Sequence, residues 1–220
     1  MMIAHHPSEA AILDYVSGAL DEAWSLAVAT HLALCPECRR LAESYEAVGG
    51  EFMAAEAPSE ISMDGLEAVM GRLNMVDAEP ATGGGTTVSS ASSPFLPEPL
   101  RSYVGGDVDA VEWRPLGGGA AQCILPLENS SATARLLRIP AGQPVAEHTH
   151  RGLEMTLVLD GAFTDDTGRY GRGDLQEADE TLQHIPHAAA GVDCICLAVT
   201  DAPLKFAGVL PRIMQRFLRI

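Results

Sequence analysis

The chain has 220 residues, 47% of them apolar, and a formal net charge of −16. That length exceeds one typical domain and the apolar content excludes a disordered chain, while the acid excess argues against direct nucleic-acid binding, because phosphate contacts rest on clustered Lys and Arg. No run approaches the roughly 20 apolar residues of a membrane span, and the N-terminus lacks the basic-then-apolar order of a secretory signal, so a cytoplasmic protein with no membrane partner is expected.

In chain order, Ser8 is placed to cap a first helix whose apolar positions Ala11, Ile12, Tyr15, Val16 and Leu20 follow helical spacing, with Ser17-Gly18 punctuating its end. Asp21 caps a second helix carrying Trp24, Ala27, Val28, His31 and Leu32 on one face. Pro36 suits the first turn of a third helix, predicted to run to about Val48 and stop at Gly49-Gly50. A fourth helical stretch over 60–73 has Ile61, Leu66, Val69, Met70 and Leu73 as its apolar stripe. Residues 1–75 therefore form a four-helix domain. They hold twelve Asp and Glu against Arg39, Arg40 and Arg72, a surface suited to faster encounter with a basic protein partner.

Residues 76–99 are rich in Gly, Ser, Thr, Ala and Pro, a composition that resists packing and marks an interdomain linker. Beyond it, over 100–205, short β-type runs at 111–114, 123–127, 134–139, 155–159 and 194–200 alternate with Gly and Pro and predict a sandwich or barrel. Within the tail, 206–220, residues 209–220 suit a short helix with Arg212, Arg216 and Arg219 along one side, or a closing strand. The fold class is multidomain, α plus β.

All seven histidines fall into two groups, His5, His6 and His31 near the start and His148, His150, His184 and His187 in the second half. Five cysteines, an odd number, suit a reducing compartment rather than a disulfide scaffold. In the first group His31 and Cys35 are four apart and share a helix face, and Cys38 begins the next helix. Thiolate and imidazole in tetrahedral geometry are what structural zinc prefers, and these three leave one position for His6 or His5. A Cys at a helix N-terminus also gains from unpaired backbone N–H groups, which eases both metal binding and oxidation.

This part of the chain resembles the zinc-binding anti-sigma domains, whose mark is an upstream His followed by His-x-x-x-Cys-x-x-Cys within a small helical bundle. The resemblance implies His6, His31, Cys35 and Cys38 as zinc ligands and an extracytoplasmic-function sigma factor as the partner, its polymerase-binding surfaces masked.

In the second group His148 and His150 alternate on a strand and point to one face, with Glu154 close behind and Gly161 where the strand would turn. With a distant His this is a mixed nitrogen and oxygen site, suited to zinc or another divalent transition metal. The pattern resembles the first cupin motif, with His184 in the place of the second motif's histidine and His187 as the alternative. The usual Pro-x-Gly of the second motif is replaced by Tyr170-Gly171-Arg172-Gly173. The likeness implies a cupin-like antiparallel β-barrel with the metal inside, held by His148, His150, Glu154 and His184. Cys194 and Cys196 share a strand face, where two small core residues are the expectation over an oxidation-sensitive pair; a disulfide between them would be strained.

Taken together, the two halves and the late Cys-x-Cys resemble the ChrR-type zinc-binding anti-sigma factors, a zinc anti-sigma domain fused to a C-terminal cupin domain. That likeness implies a non-enzymatic negative regulator that holds a sigma factor through its N-terminal domain. Release would follow oxidative stress, singlet oxygen or a related species, sensed through the cupin domain as an oxidant or small-molecule signal. The alternative is a metal-dependent cupin enzyme of dioxygenase or isomerase type with an accessory helical domain. A catalytic metal needs neighbouring acid and base groups, and no pair stands out beyond the ligands; Tyr103 and Tyr170 suit packing.

Overall fold

The computed structural model describes residues 3–60, 62, 64–75, 94–145, 148–149, 152–202 and 205–206. His150 and the tail beyond Phe206 lie outside them, as does most of the linker. The chain divides into two compact units, residues 1–47 with 95–220 and residues 48–94.

The helices among the described residues are α1 (Glu9–Val16), α2 (Glu22–Leu34), α3 (Pro36–Ala55), α4 (Gly65–Met75) and α5 (Glu98–Val104). Ser8 caps α1 by accepting the Ala11 N–H, and Asp21 caps α2 by accepting that of Trp24. Gly18, in the left-handed region at φ +73°, closes the turn after α1. Two boundaries differ from expectation. Helix α3 runs through Gly49 and Gly50 to Ala55, because neither glycine adopts a positive φ and the surrounding Ala, Glu and Met residues are good helix formers. Helix α4 starts at Gly65, behind Asp64, whose carbonyl accepts the first helical bond from Ala68. Helix α5 lies where the sequence pattern reads as the end of a linker. Pro97 precedes it, Pro99 fits its first turn, and Gly105 ends it at φ +78°.

The strands are β1 (Arg114–Gly117), β2 (Ala120–Ile124), β3 (Thr133–Ile139), β4 (His148–Thr149), β5 (Glu154–Asp160), β6 (Ala162–Asp165), β7 (Gly168–Gly171), β8 (Leu175–Ala178), β9 (Gln183–His184), β10 (His187–Ala188), β11 (Cys194–Thr200) and β12 (Lys205–Phe206). They form a six-stranded sheet ordered β1-β2-β3-β11-β5-β8 and two three-stranded sheets, β10-β6-β7 and β12-β4-β9, with every named ladder antiparallel. The run at 111–114 is mostly not a strand. Val108–Ala110 forms a 3-10 turn, and Val111 behind it is buried outside any ladder. At Gly161, φ +65°, a Cβ would lie 2.5 Å from the Asp193 carbonyl, so only glycine fits the turn between β5 and β6.

The large sheet uses both of its faces. Along β11, Ile195, Leu197 and Val199 join the core shared with the helices, while Cys194 and Cys196 face the other way into the barrel. The same alternation runs along β5, with Met155, Leu157 and Leu159 toward the helices and Glu154 and Thr156 toward the barrel cavity. Burial on two faces explains why these strands read as continuous apolar runs.

Helix α2 lies on the outer face of that sheet, against β5, β11, α1 and α5. It is therefore apolar nearly all round, with Ala23, Ala27, Val28, Thr30 and His31 fully buried. Each buried Leu or Val in this layer contributes about 1.5–3 kcal/mol of transfer free energy. Its N-terminus is pinned as well: Glu22 accepts the N–H groups of Glu128 and Asn129 and the Tyr103 hydroxyl, and Asp21 accepts the Ser130 hydroxyl. Helices α1 and α2 and the barrel thus share one apolar core.

Candidate metal centres

The helical corner assembles four ligand side chains. His31 occupies the last turn of α2, Cys35 is the residue between the helices, with its N–H on the His31 carbonyl at 2.8 Å, and Cys38 lies in the first turn of α3. His6 arrives from the segment before α1. Its Nδ1 is 3.5 Å from Cys35 Sγ and 3.2 Å from Cys38 Sγ, and His31 Nε2 is 3.3 Å from Cys38 Sγ. All four ligand atoms lie within 4.8 Å of one another.

A tetrahedral zinc ion with ordinary Zn–S and Zn–N bonds needs its ligand atoms about 3.4–3.8 Å apart, so the cluster is close to the size the ion requires. Burial, and then the neighbouring His6, lower the His31 pKa to about 4, so its imidazole is neutral and fit to coordinate. Burial, and then Cys35, push the Cys38 thiol up to about 12. A thiol so reluctant to ionise gives up its proton to a bound cation. Four protein donors, two of them soft sulfurs, make a closed site of the structural zinc type. His5 is not part of it: its ring lies 4.3 Å from that of Tyr170, with Nδ1 3.7 Å from Asp174 Oδ1.

In the barrel, β4 pairs with β9 so that His148 stands opposite His184. Glu154 opens β5, is buried, and accepts the Thr156 hydroxyl at 2.9 Å. Glu154 and His184 line one cavity of about 80 Å³ together with Leu137, Phe163, Gln176 and Cys196. His187 is exposed, and its Nδ1–H donates to the Ile185 carbonyl. Of the four expected barrel ligands the described side chains therefore bring two, Glu154 and His184, to the same cavity.

Asp165, which the sequence did not single out, sits 2.7 Å from His184 Nδ1 with neither side chain more than 1% exposed. Burial works to raise its pKa, but hydrogen bonds from Gln176, Thr167 and His184 outweigh it and hold the carboxyl at about 2. An Nδ1–H donated to this carboxylate sets the ring's tautomer and puts its basic nitrogen at Nε2, the arrangement that metal-binding histidines use. The sequence offered only a turn signal there, Asp165 accepting the Thr167 and Gly168 N–H groups. Cys194 and Cys196 are free thiols 3.4 Å apart. The contact with Cys194, and then burial, raise the Cys196 pKa and keep that residue a thiol.

A thiolate and imidazole corner between helices, packed on a barrel that carries buried His and Glu, defines the class: a small zinc-type helical module with a C-terminal cupin-like domain. Residues 102–203 match the ChrR cupin-like domain family. Over its full 220 residues the chain is 50% identical to the anti-sigma-E factor ChrR of Cereibacter sphaeroides, covering 100% of both chains. It is also similar to a chain in the crystal structure of Rhodobacter sphaeroides SigE in complex with the anti-sigma ChrR, at 48% identity and a TM-score of 0.78, covering 91% of this chain and 100% of that one. This chain belongs to the ChrR family of anti-sigma factors.

Proposed function

We propose that this chain binds and inhibits an extracytoplasmic-function sigma factor in the cytoplasm and releases it under oxidative stress. The observation that carries the reading is the apolar stripe of α4. Leu66, Val69, Met70 and Leu73 recur at helical spacing and are 49–75% exposed. On the preceding helix Val48, Phe52 and Met53 are exposed too. Folding of a single chain gives no reason to leave so many large apolar side chains in water on two short segments; a partner protein does. The acidic surface of residues 1–75 suits a partner with basic patches.

Zinc held by His6, His31, Cys35 and Cys38 would fix the corner from which α3 departs, since metal binding to a small module contributes directly to its folding. A divalent transition metal held by His148, His150, Glu154 and His184 would make the barrel the receiving site for the signal. The test is co-purification of the chain with an extracytoplasmic-function sigma factor of its own genome, followed by transcription assays with that sigma factor. The chain should suppress transcription, and His148→Ala or Glu154→Ala should suppress it equally but fail to release it after singlet-oxygen exposure. Turnover of a small substrate by a chain that captures no sigma factor would overturn the reading.

A further inference from the structure

We infer that the turn between β7 and β8 is the outer support of the helical metal corner, with Asp174 as the positioning residue that holds the His6 arm in ligating position. The arm, residues 3–8, is bonded to the barrel on both sides of His6. Ahead of it, the Ala4 and His5 N–H groups donate to Asp174 Oδ1 at 2.7 and 2.9 Å, and the His5 carbonyl accepts the Leu175 N–H at 3.1 Å. Behind it, the Ser8 N–H and hydroxyl donate to Glu177 Oε1 at 2.9 and 3.2 Å.

Asp174 is itself fixed, 6% exposed and accepting the Gly171 N–H on Oδ2 at 2.7 Å. Gly173 makes room for the arm: at φ +90°, a Cβ there would come 2.5 Å from Ile3 Cδ1 and 3.8 Å from Leu34 Cβ. The same turn reaches the second imidazole. The Gly173 backbone interacts with the buried His31 side chain.

One residue pair further along, the strand serves the other metal centre. Gln176 donates from Nε2 to Asp165 Oδ2 at 2.9 Å, and that oxygen holds His184. Asp174 and Gln176 stand two apart on one short stretch, so a shift of β8 is felt at His6 and at His184 together. The path between the two centres runs along this stretch, through direct hydrogen bonds. The inference rests on zinc occupying the corner and is independent of sigma binding.

The test is the zinc affinity of the full chain without sigma factor, measured by competition with a chromophoric chelator. Asp174→Ala should weaken zinc about ten- to hundred-fold, the cost typical of losing a group that orients a ligand. Asp174→Asn keeps one oxygen for the two arm amides and should lose less. Glu177 is exposed, so Glu177→Ala leaves the barrel folded, and it should weaken zinc in the same direction. Cobalt in the corner adds a signature: the thiolate charge-transfer absorption should persist in these variants while the ligand-field bands shift as His6 detaches. Zinc affinities equal to the parent's in folded Asp174→Ala and in Glu177→Ala would overturn the inference. A parent chain that takes up no zinc at this corner would overturn it along with the zinc assignment, whereas loss of sigma binding alone would not touch it.

Discussion

In the helical corner a thiol raised to a pKa of about 12 and an imidazole lowered to about 4 lie 3.3 Å apart, in Cys38 and His31. Both shifts arise chiefly from burial, which disfavours whichever form is charged. A cation reverses the preference at Cys38, so zinc uptake must expel thiol protons and weaken as pH falls. Asp107 shows the opposite balance. Burial would raise its carboxyl, but the N–H groups of Leu96, Phe95 and Val108 and the Arg101 charge hold it below the ordinary 3.8. Its stabilising effect is therefore complete above pH 3.8 and is lost as pH falls through its lowered value. Asp107→Asn should lower the melting temperature at pH 7, and melts at successively lower pH should show that gap closing below pH 4. At this scale His31, Cys35 and Cys38 are legible because a helix fixes their spacing locally. Asp165 and Asp174 are not, since one holds a ring 19 residues away and the other an arm 170 residues away.

Among the elements, α2 and β11 carry the clearest sequence signal, a capped helix and an apolar run whose ends at Cys194 and Thr200 match the strand. Strands β4, β9, β10 and β12 have two residues each, too few for a period of two to register. Gly49 and Gly50 misled as a stop signal, because glycine ends a helix when it turns left-handed and here it does not. Both have open space where a Cβ would be. Replacing either with Ala should raise the stability of α3 by about 0.5–1 kcal/mol, read from helix content during thermal unfolding. On α4 the doubly charged variant Leu66→Asp with Val69→Asp should leave the melting of the barrel unchanged and abolish sigma capture in a pull-down. Retained capture would show that the stripe is not the contact.

Within the larger unit, helices α1 and α2 and the barrel, which composition separates, are joined by a common core. Helix α2 lies against β5 and β11, its N-terminal carboxylates fasten the loop before β3, and the His6 arm follows the edge of β8. A sequence divides where its pattern changes from helical to alternating, and that change says nothing about which faces then pack together. On the function proposed above, an event at Glu154 and His184 would have a short route to the helical corner. In the proposed function, zinc holds that corner in the shape that captures the sigma factor. The most direct test is run-off transcription by polymerase and the cognate sigma factor in the presence of the full chain carrying Cys35→Ser and Cys38→Ser, with its zinc content measured alongside. A zinc-free protein that no longer suppresses transcription is the predicted result; a zinc-free protein that suppresses it as fully as the parent would contradict the account.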